Sequence, residues 1–185
     1  MPHETTPARL RLRPILLSDA SATSALMTPG ISRWTATWPS QVSNEEALQR
    51  IADVHDRTAQ GICFAQAIER LSDGVLMGWI NARKESPDAR TGVIGYWMGE
   101  PFHGRGYMTE VVRAFVPLVW DNLRVDVIEA GALPDNTASI AILKRLGMRY
   151  VGDREELAPV RNRIERCVWC ALDRPDRDRN CLPSL

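Results

Sequence analysis

Lysine is almost missing from this chain. Of 23 basic residues only Lys84 and Lys144 are lysines, and 23 acidic residues bring the formal net charge to zero. A chain without net charge projects no strong field, so neither a nucleic acid nor a membrane surface is expected as a partner. The arginine bias itself reads as genomic composition rather than function. Histidine is scarce as well: His3, His55 and His103 share no ligand spacing, and no metal is expected. Cysteine numbers only four (Cys63, Cys167, Cys170 and Cys181). Cys167-Val-Trp-Cys170 has the spacing of a zinc or redox pair, but no second pair or nearby histidine completes it. Residues three apart on a strand face opposite sides, so free thiols are expected. No stretch approaches the ~20 apolar residues of a membrane span. The first six residues, Met-Pro-His-Glu-Thr-Thr, have neither the charged nor the apolar region of a signal peptide, which makes a cytoplasmic location the expectation.

What is present is an ordinary globular composition, 44% hydrophobic and 25% charged over 185 residues, enough for one domain with a real core. No repeat and no interdomain linker interrupts it. Arg9 to Pro14 alternates arginine with leucine as a first strand, and Leu17 to Met27 reads as a helix capped by Ser18 or Asp19. Ile31 to Trp38 is a short segment containing Trp34 and Trp38. Ser43 and Glu46 have capping-box spacing at the head of a helix to about Ala59, with Ala47, Ile51 and Val54 inward. Ile62–Glu69 and Val75–Arg83 read as a strand pair joined through Ser72-Asp73-Gly74. The final strands are expected near Met148–Glu155 and Arg161–Leu172, before a polar tail over residues 176–185. The order β-α-α-β-β-β-α-β-α-β-β predicts one mixed α/β domain over residues 1–175 with helices on both faces of a sheet.

The most informative run is Gly95-Tyr-Trp-Met-Gly-Glu-Pro-Phe-His-Gly-Arg-Gly-Tyr-Met-Thr-Glu110. A strand over Gly92–Met98 passes through a proline turn and a small glycine loop into a helix read from about Thr109 to Asn122. Strand, glycines and helix in that order present bare backbone N–H groups to a phosphate. Gly104 and Gly106 let the backbone approach a ligand, and a diphosphate fits at residues 104–109. The steric alternative, a glycine turn that merely starts a helix, is as common. The run is not a P-loop, because no Gly-Lys-Ser/Thr follows, and it lacks the third glycine of a dinucleotide fingerprint.

About thirty residues on, Val125–Leu133 reads as a buried strand ending at Pro134-Asp135-Asn136. Asn136 suits a helix N-cap, with Ser139 in the first turn and Gly147 closing the helix.

Together these stretches resemble the GNAT superfamily of acyl-CoA-dependent N-acyltransferases, and within it the RimJ/RimL-type ribosomal-protein acetyltransferases. The resemblance rests on Ile94-Gly-Tyr-Trp97, Gly104-Arg-Gly-Tyr107, Thr109-Glu110, Pro134-x-Asn136-x-x-Ser139 and Lys144-Arg-Leu-Gly147, with Arg9-Leu-Arg-Leu-Arg-Pro14 at the start, and spans roughly residues 8–173. The chain departs from the pattern at His103, usually aromatic, at Met108, usually Gly or Ala, and at Met148, usually Phe.

The resemblance implies a GNAT domain over residues 1–175: a splayed, mostly antiparallel sheet of about seven strands with helices on both faces. It implies acetyl-CoA as co-substrate and acetyl transfer to a primary amine, a protein N-terminus or a small amine, by direct attack in a ternary complex. The pantetheine arm would pair with the backbone of Trp97 and Met98. The diphosphate would sit on Gly104, Arg105, Gly106, Tyr107, Met108 and Thr109, with Asn136 across the arm. Ser139 is the candidate proton donor, or only a helix cap. Glu129 is the candidate base, with Glu100 and His103 as alternatives, or each is a surface or loop residue. Trp34, Trp38 and Trp79 would wall the acceptor cleft, or pack in the core. A homodimer is compatible with the resemblance, and a non-catalytic acyl-CoA sensor is the alternative function.

Overall fold

A computed structural model of the chain describes residues 9–175. The expected tail at 176–185, and with it Cys181 and His3, lies outside the described residues. Strand β1 (Leu10–Arg13) leads into three helices, α1 (Ala20–Leu26), α2 (Pro29–Ser32) and α3 (Asn44–Ala59). Strands β2 (Cys63–Arg70), β3 (Leu76–Arg83) and β4 (Thr91–Met98) follow, then α4 (Tyr107–Leu123), β5 (Val127–Ala132), α5 (Thr137–Arg145), β6 (Arg149–Ala158) and β7 (Arg163–Asp173). All seven strands form one sheet in the order β1-β2-β3-β4-β5-β7-β6. Every neighbouring pair is antiparallel except β4 with β5.

Local chemistry explains most boundaries. At α3, Ser43 accepts from the Glu46 N–H at 3.1 Å and the Glu46 carboxylate accepts from the Ser43 N–H at 2.7 Å, the reciprocal box expected from the spacing. The Trp-containing segment begins inside α2, a short helix started by Thr28 and by Pro29 at its first position. The helix α4 begins at Tyr107, two residues before the expected Thr109. Gly106 adopts φ +77°, a left-handed conformation, and the helix starts directly after it. Asp19 does not cap its helix: its carboxylate accepts both Arg13 Nη groups, at 2.7 and 2.8 Å, and the Leu16 N–H at 2.8 Å.

The two sheet faces carry separate apolar clusters. On one, Val111, Val112, Phe115 and Val119 of α4 and Leu143 of α5 pack on Ile80, Ile94, Met98, Ile128 and Ala130. On the other, Ala20, Ile31, Ala47 and Ile51 of the first three helices pack on Ala67, Trp79 and Trp97. The register between β2 and β3 shifts between Ile68 and Glu69, opposite Met77. That irregularity lets Leu76 and Trp79, three residues apart, both join the second cluster while Met77 joins the first.

Candidate active site

The sheet parts in the middle. Strands β4 and β5 pair only at Thr91–Val127, Gly92–Ile128 and Val93–Glu129. Beyond these, β4 is bonded to β3 alone and β5 to β7 alone, so both strands turn an open edge to the gap between them. Backbone polar groups of successive residues alternate from side to side of a strand. The Gly99 N–H donates to the Met77 carbonyl at 2.8 Å, which fixes the alternation: Gly95, Trp97 and Gly99 face β3, while Ile94, Tyr96 and Met98 face the gap. Met98 therefore presents its backbone as expected. Trp97 does not: its main chain faces β3 and its indole lies in the second cluster, and Tyr96 takes its place at the edge. The Met98 carbonyl already accepts a hydrogen bond from His103 Nε2 at 2.7 Å.

At the end of the gap, Gly104 (φ +74°) and Gly106 (φ +77°) shape the turn into α4. The backbone N–H groups from Gly104 to Met108 donate to no acceptor among the described residues, whereas Thr109 and Glu110 both donate to the Gly106 carbonyl. No side chain caps the helix. Five consecutive free donors at the positive end of a 17-residue helix form an anion seat. Met108, whose size departs from the family pattern, packs its side chain against the main core cluster and leaves its amide available. Arg9 braces the loop from below: its guanidinium lies 4.4 Å over the Tyr107 ring, donates to the Arg105 carbonyl at 3.1 Å and pairs with Glu110.

Across the gap sits the helix α5. Asn136 Oδ1 accepts from the Ser139 N–H at 3.1 Å, the predicted N-cap. Ser139 Oγ and the Tyr96 hydroxyl share a hydrogen bond of 2.8 Å that links β4 to α5. Burial pushes the Tyr96 phenol up to about 12, against the opposing pull of Ser139, so it stays a protonated donor through the neutral range. Tyr96 was not singled out from the sequence. The signal was there in the alternation, which sets it on the same face as Ile94 and Met98.

The expected base does not stand free. Both Glu129 oxygens accept from the Arg154 guanidinium, at 2.7 and 2.8 Å, and Arg154 in turn stacks 4.5 Å over Trp169. A carboxylate forked this way is committed to a structural pair. Glu100 accepts from Thr28 Oγ1 at 2.5 Å and fills the space where a Cβ at Gly30 would stand. His103 is committed to the Met98 carbonyl.

Of the three tryptophans expected to wall the acceptor cleft, two belong to the core. Trp79 is 2% exposed and its Nε1–H donates to Thr23 Oγ1 at 3.0 Å. Trp38 packs edge-on against both Trp79 and Trp97 at 5.2 Å. Only Trp34 reaches a cleft. That cleft, of about 520 Å³, is lined by Arg33, Trp34, Leu133, Pro134, Asp135, Arg161, Arg163, Ile164, Glu165 and Arg166. Its floor is tied together by Arg161, which donates to the Ser32 and Thr35 carbonyls at 2.9 Å each and to both Glu165 oxygens at 2.6 and 2.9 Å. Those bonds to Arg161, with a further one from Arg163, hold the Glu165 carboxyl down at about 2. Asp135, read from the sequence only as a turn residue, puts an exposed carboxylate on the rim beside Asn136.

An open strand edge, a row of free amides and a hydroxyl pair facing one gap suit a long thioester carrier with a diphosphate. The comparisons agree. The profile of the Acetyltransferase (GNAT) domain matches residues 9–149. The probable N-acetyltransferase YjcK of Bacillus subtilis is 30% identical over 136 residues, 73% of this chain and 75% of that protein. Among solved structures, RimL, a ribosomal L7/L12 alpha-N-protein acetyltransferase in complex with coenzyme A, superposes with TM-score 0.77 at 20% identity, covering 89% of this chain and 94% of that one. The microcin C7 self-immunity acetyltransferase MccE, in complex with acetyl-CoA and AMP, gives 0.79 at 16%, covering 91% and 97%. The chain belongs to the GNAT acetyltransferase family. It is an acetyl-CoA-dependent acetyltransferase, and acetyl-CoA is its co-substrate.

Proposed function

We propose that this protein acetylates the α-amino group of a peptide or amino acid, by direct attack in a ternary complex. The observation that carries the reading is the Tyr96–Ser139 hydrogen bond across the gap. The thiol leaving group needs a proton, and a hydroxyl pair that stays protonated at neutral pH holds one there. Met98 and Tyr96 would hold the arm along the open edge, the amides of Gly104 to Met108 the diphosphate, and the free amide nitrogen of Asn136 the far side. When bound, acetyl-CoA supplies an activated acyl group. A backbone N–H at the edge of β4 stabilises the charge that develops on its carbonyl oxygen.

The amine must lose a proton before it attacks. The exposed Asp135 carboxylate draws the ammonium form to the rim, and solvent carries the proton away. That RimL is named for an α-amino acceptor supports the same chemistry here. The test is thiol release from acetyl-CoA against peptides with varied N-termini, free amino acids and polyamines. Turnover confined to α-amines sustains the proposal; turnover of polyamines alone, or none with any amine, sinks it.

A further inference from the structure

The charges around the 520 Å³ cleft are unevenly matched. Arg161 and Arg163 share a single carboxylate, that of Glu165. Arg166 pairs with Asp153, outside the lining. Arg33 has no acidic partner among the described residues; its guanidinium carbon lies over the Trp34 ring, 4.6 Å from the centroid. The remaining lining acid, Asp135, borders the cap of α5 and so lies at the chemical end of the cleft. With Arg166 neutralised by Asp153, three guanidinium groups face two carboxylates, and the carboxylate without a partner among the described residues, Asp135, borders the cap of α5.

A polyamine or an aminoglycoside would add positive charge to this lining. An acceptor with its amine toward Asp135 and an anionic group toward Arg33 and Arg163 would instead complement it at both ends. Arginine presents a planar fork that fits carboxylate and phosphate oxygens two at a time. Arg163 keeps 65% of its side chain exposed while bonded to Glu165, so it has N–H groups to spare. Arg33 is fixed in orientation by its ring contact, which lowers the cost of ordering it on a ligand.

We infer that the acceptor carries an anionic group close to its amine, and that Arg33 and Arg163 select it. The inference rests on the amine-acetylation reading and adds the substrate's charge. It also assigns two specificity residues that no motif contains.

The experiment uses the full chain with three tetrapeptides identical except for Asp, Ala or Lys at the second residue, plus free glutamate and spermidine. The expected order of kcat/KM is Asp above Ala above Lys, with about a tenfold step carried by KM. Glutamate separates a small acceptor from a peptide one. Arg33→Glu should erase or reverse the Asp-over-Lys preference, while the rise in melting temperature on adding coenzyme A stays at the wild-type value. Arg163→Gln should reduce it. Equal turnover of all three peptides, or a preference untouched by Arg33→Glu, overturns the inference and leaves acetylation standing. Calorimetry with the N-acetylated Asp and Lys peptides and coenzyme A reads the same selection without turnover. Charge-selective binding without thiol release upholds this inference and defeats the transfer reading.

Discussion

The two halves of the site are made of different material. The proposed cofactor half is main chain: the open edge of β4 and the amides of Gly104 to Met108, unpartnered among the described residues. The proposed acceptor half is side chain, gathered from far apart; Arg161 reaches the Ser32 carbonyl across 129 residues of sequence. A backbone site survives almost any substitution that keeps the strand and the turn. A side-chain site changes with each arginine. The first half can therefore be common to a family while the second is rebuilt for each acceptor.

The contrast can be broken most sharply at the hydroxyl pair. Removing both, as Tyr96→Phe with Ser139→Ala, should lower kcat by about a hundredfold or more. Coenzyme A affinity should fall by much less, because the arm and diphosphate are proposed to rest on main chain. A double variant within a few-fold of wild type in single-turnover rate removes the proton-donor role. Next in size is the distinction among tryptophans. Trp79→Ala should cost about 3–5 kcal/mol in urea unfolding, because it opens a cavity in the core. Trp34→Ala should leave stability nearly intact and raise the acceptor KM instead. The reverse pattern would place the acceptor wall at Trp79.

A β-branched residue at Gly106 tests the main-chain half. Its φ of +77° costs an L-residue about 1–2 kcal/mol, so Gly106→Val should weaken coenzyme A binding by about tenfold. Equilibrium titration with coenzyme A decides this, and an unchanged Kd would move the diphosphate elsewhere. The smallest effect is electrostatic. The Glu165 carboxyl is held at about 2 in the folded chain, against 4.5 ordinarily. Its contribution is fully present above about pH 4.5 and is lost as pH falls toward 2. Thermal melts of Glu165→Gln should accordingly show a shallower loss of stability over that interval than wild type, and parallel curves would mean that Arg161 holds the loop without its charge partner.

Much of the first half was legible in sequence because its signals are local. A glycine turn and an Asn cap each need only three or four neighbours. Even there, Thr109 resembled a helix start, and the conformation of Gly106 moved it to Tyr107. The second half was not legible, since nothing near Trp38 or Trp79 in sequence says which sheet face it will occupy. For Trp79 the face follows from its register with Ala67 and Trp97, made by strands on either side of it. Glu129 could be read as a candidate base or as a paired surface glutamate, and only the fold shows its partner, Arg154, from a strand two places along the sheet.

A parting in the middle of a sheet has no ladder to fix its width. The strands on either side are stiff, yet nothing in their own pairing sets the clearance between Tyr96 and the helix beyond. The one bond from Tyr96 to Ser139 acts as a rivet across that clearance. The same two oxygens that we propose deliver a proton thereby also gauge the slot, and loosening one of them detunes fit as well as chemistry.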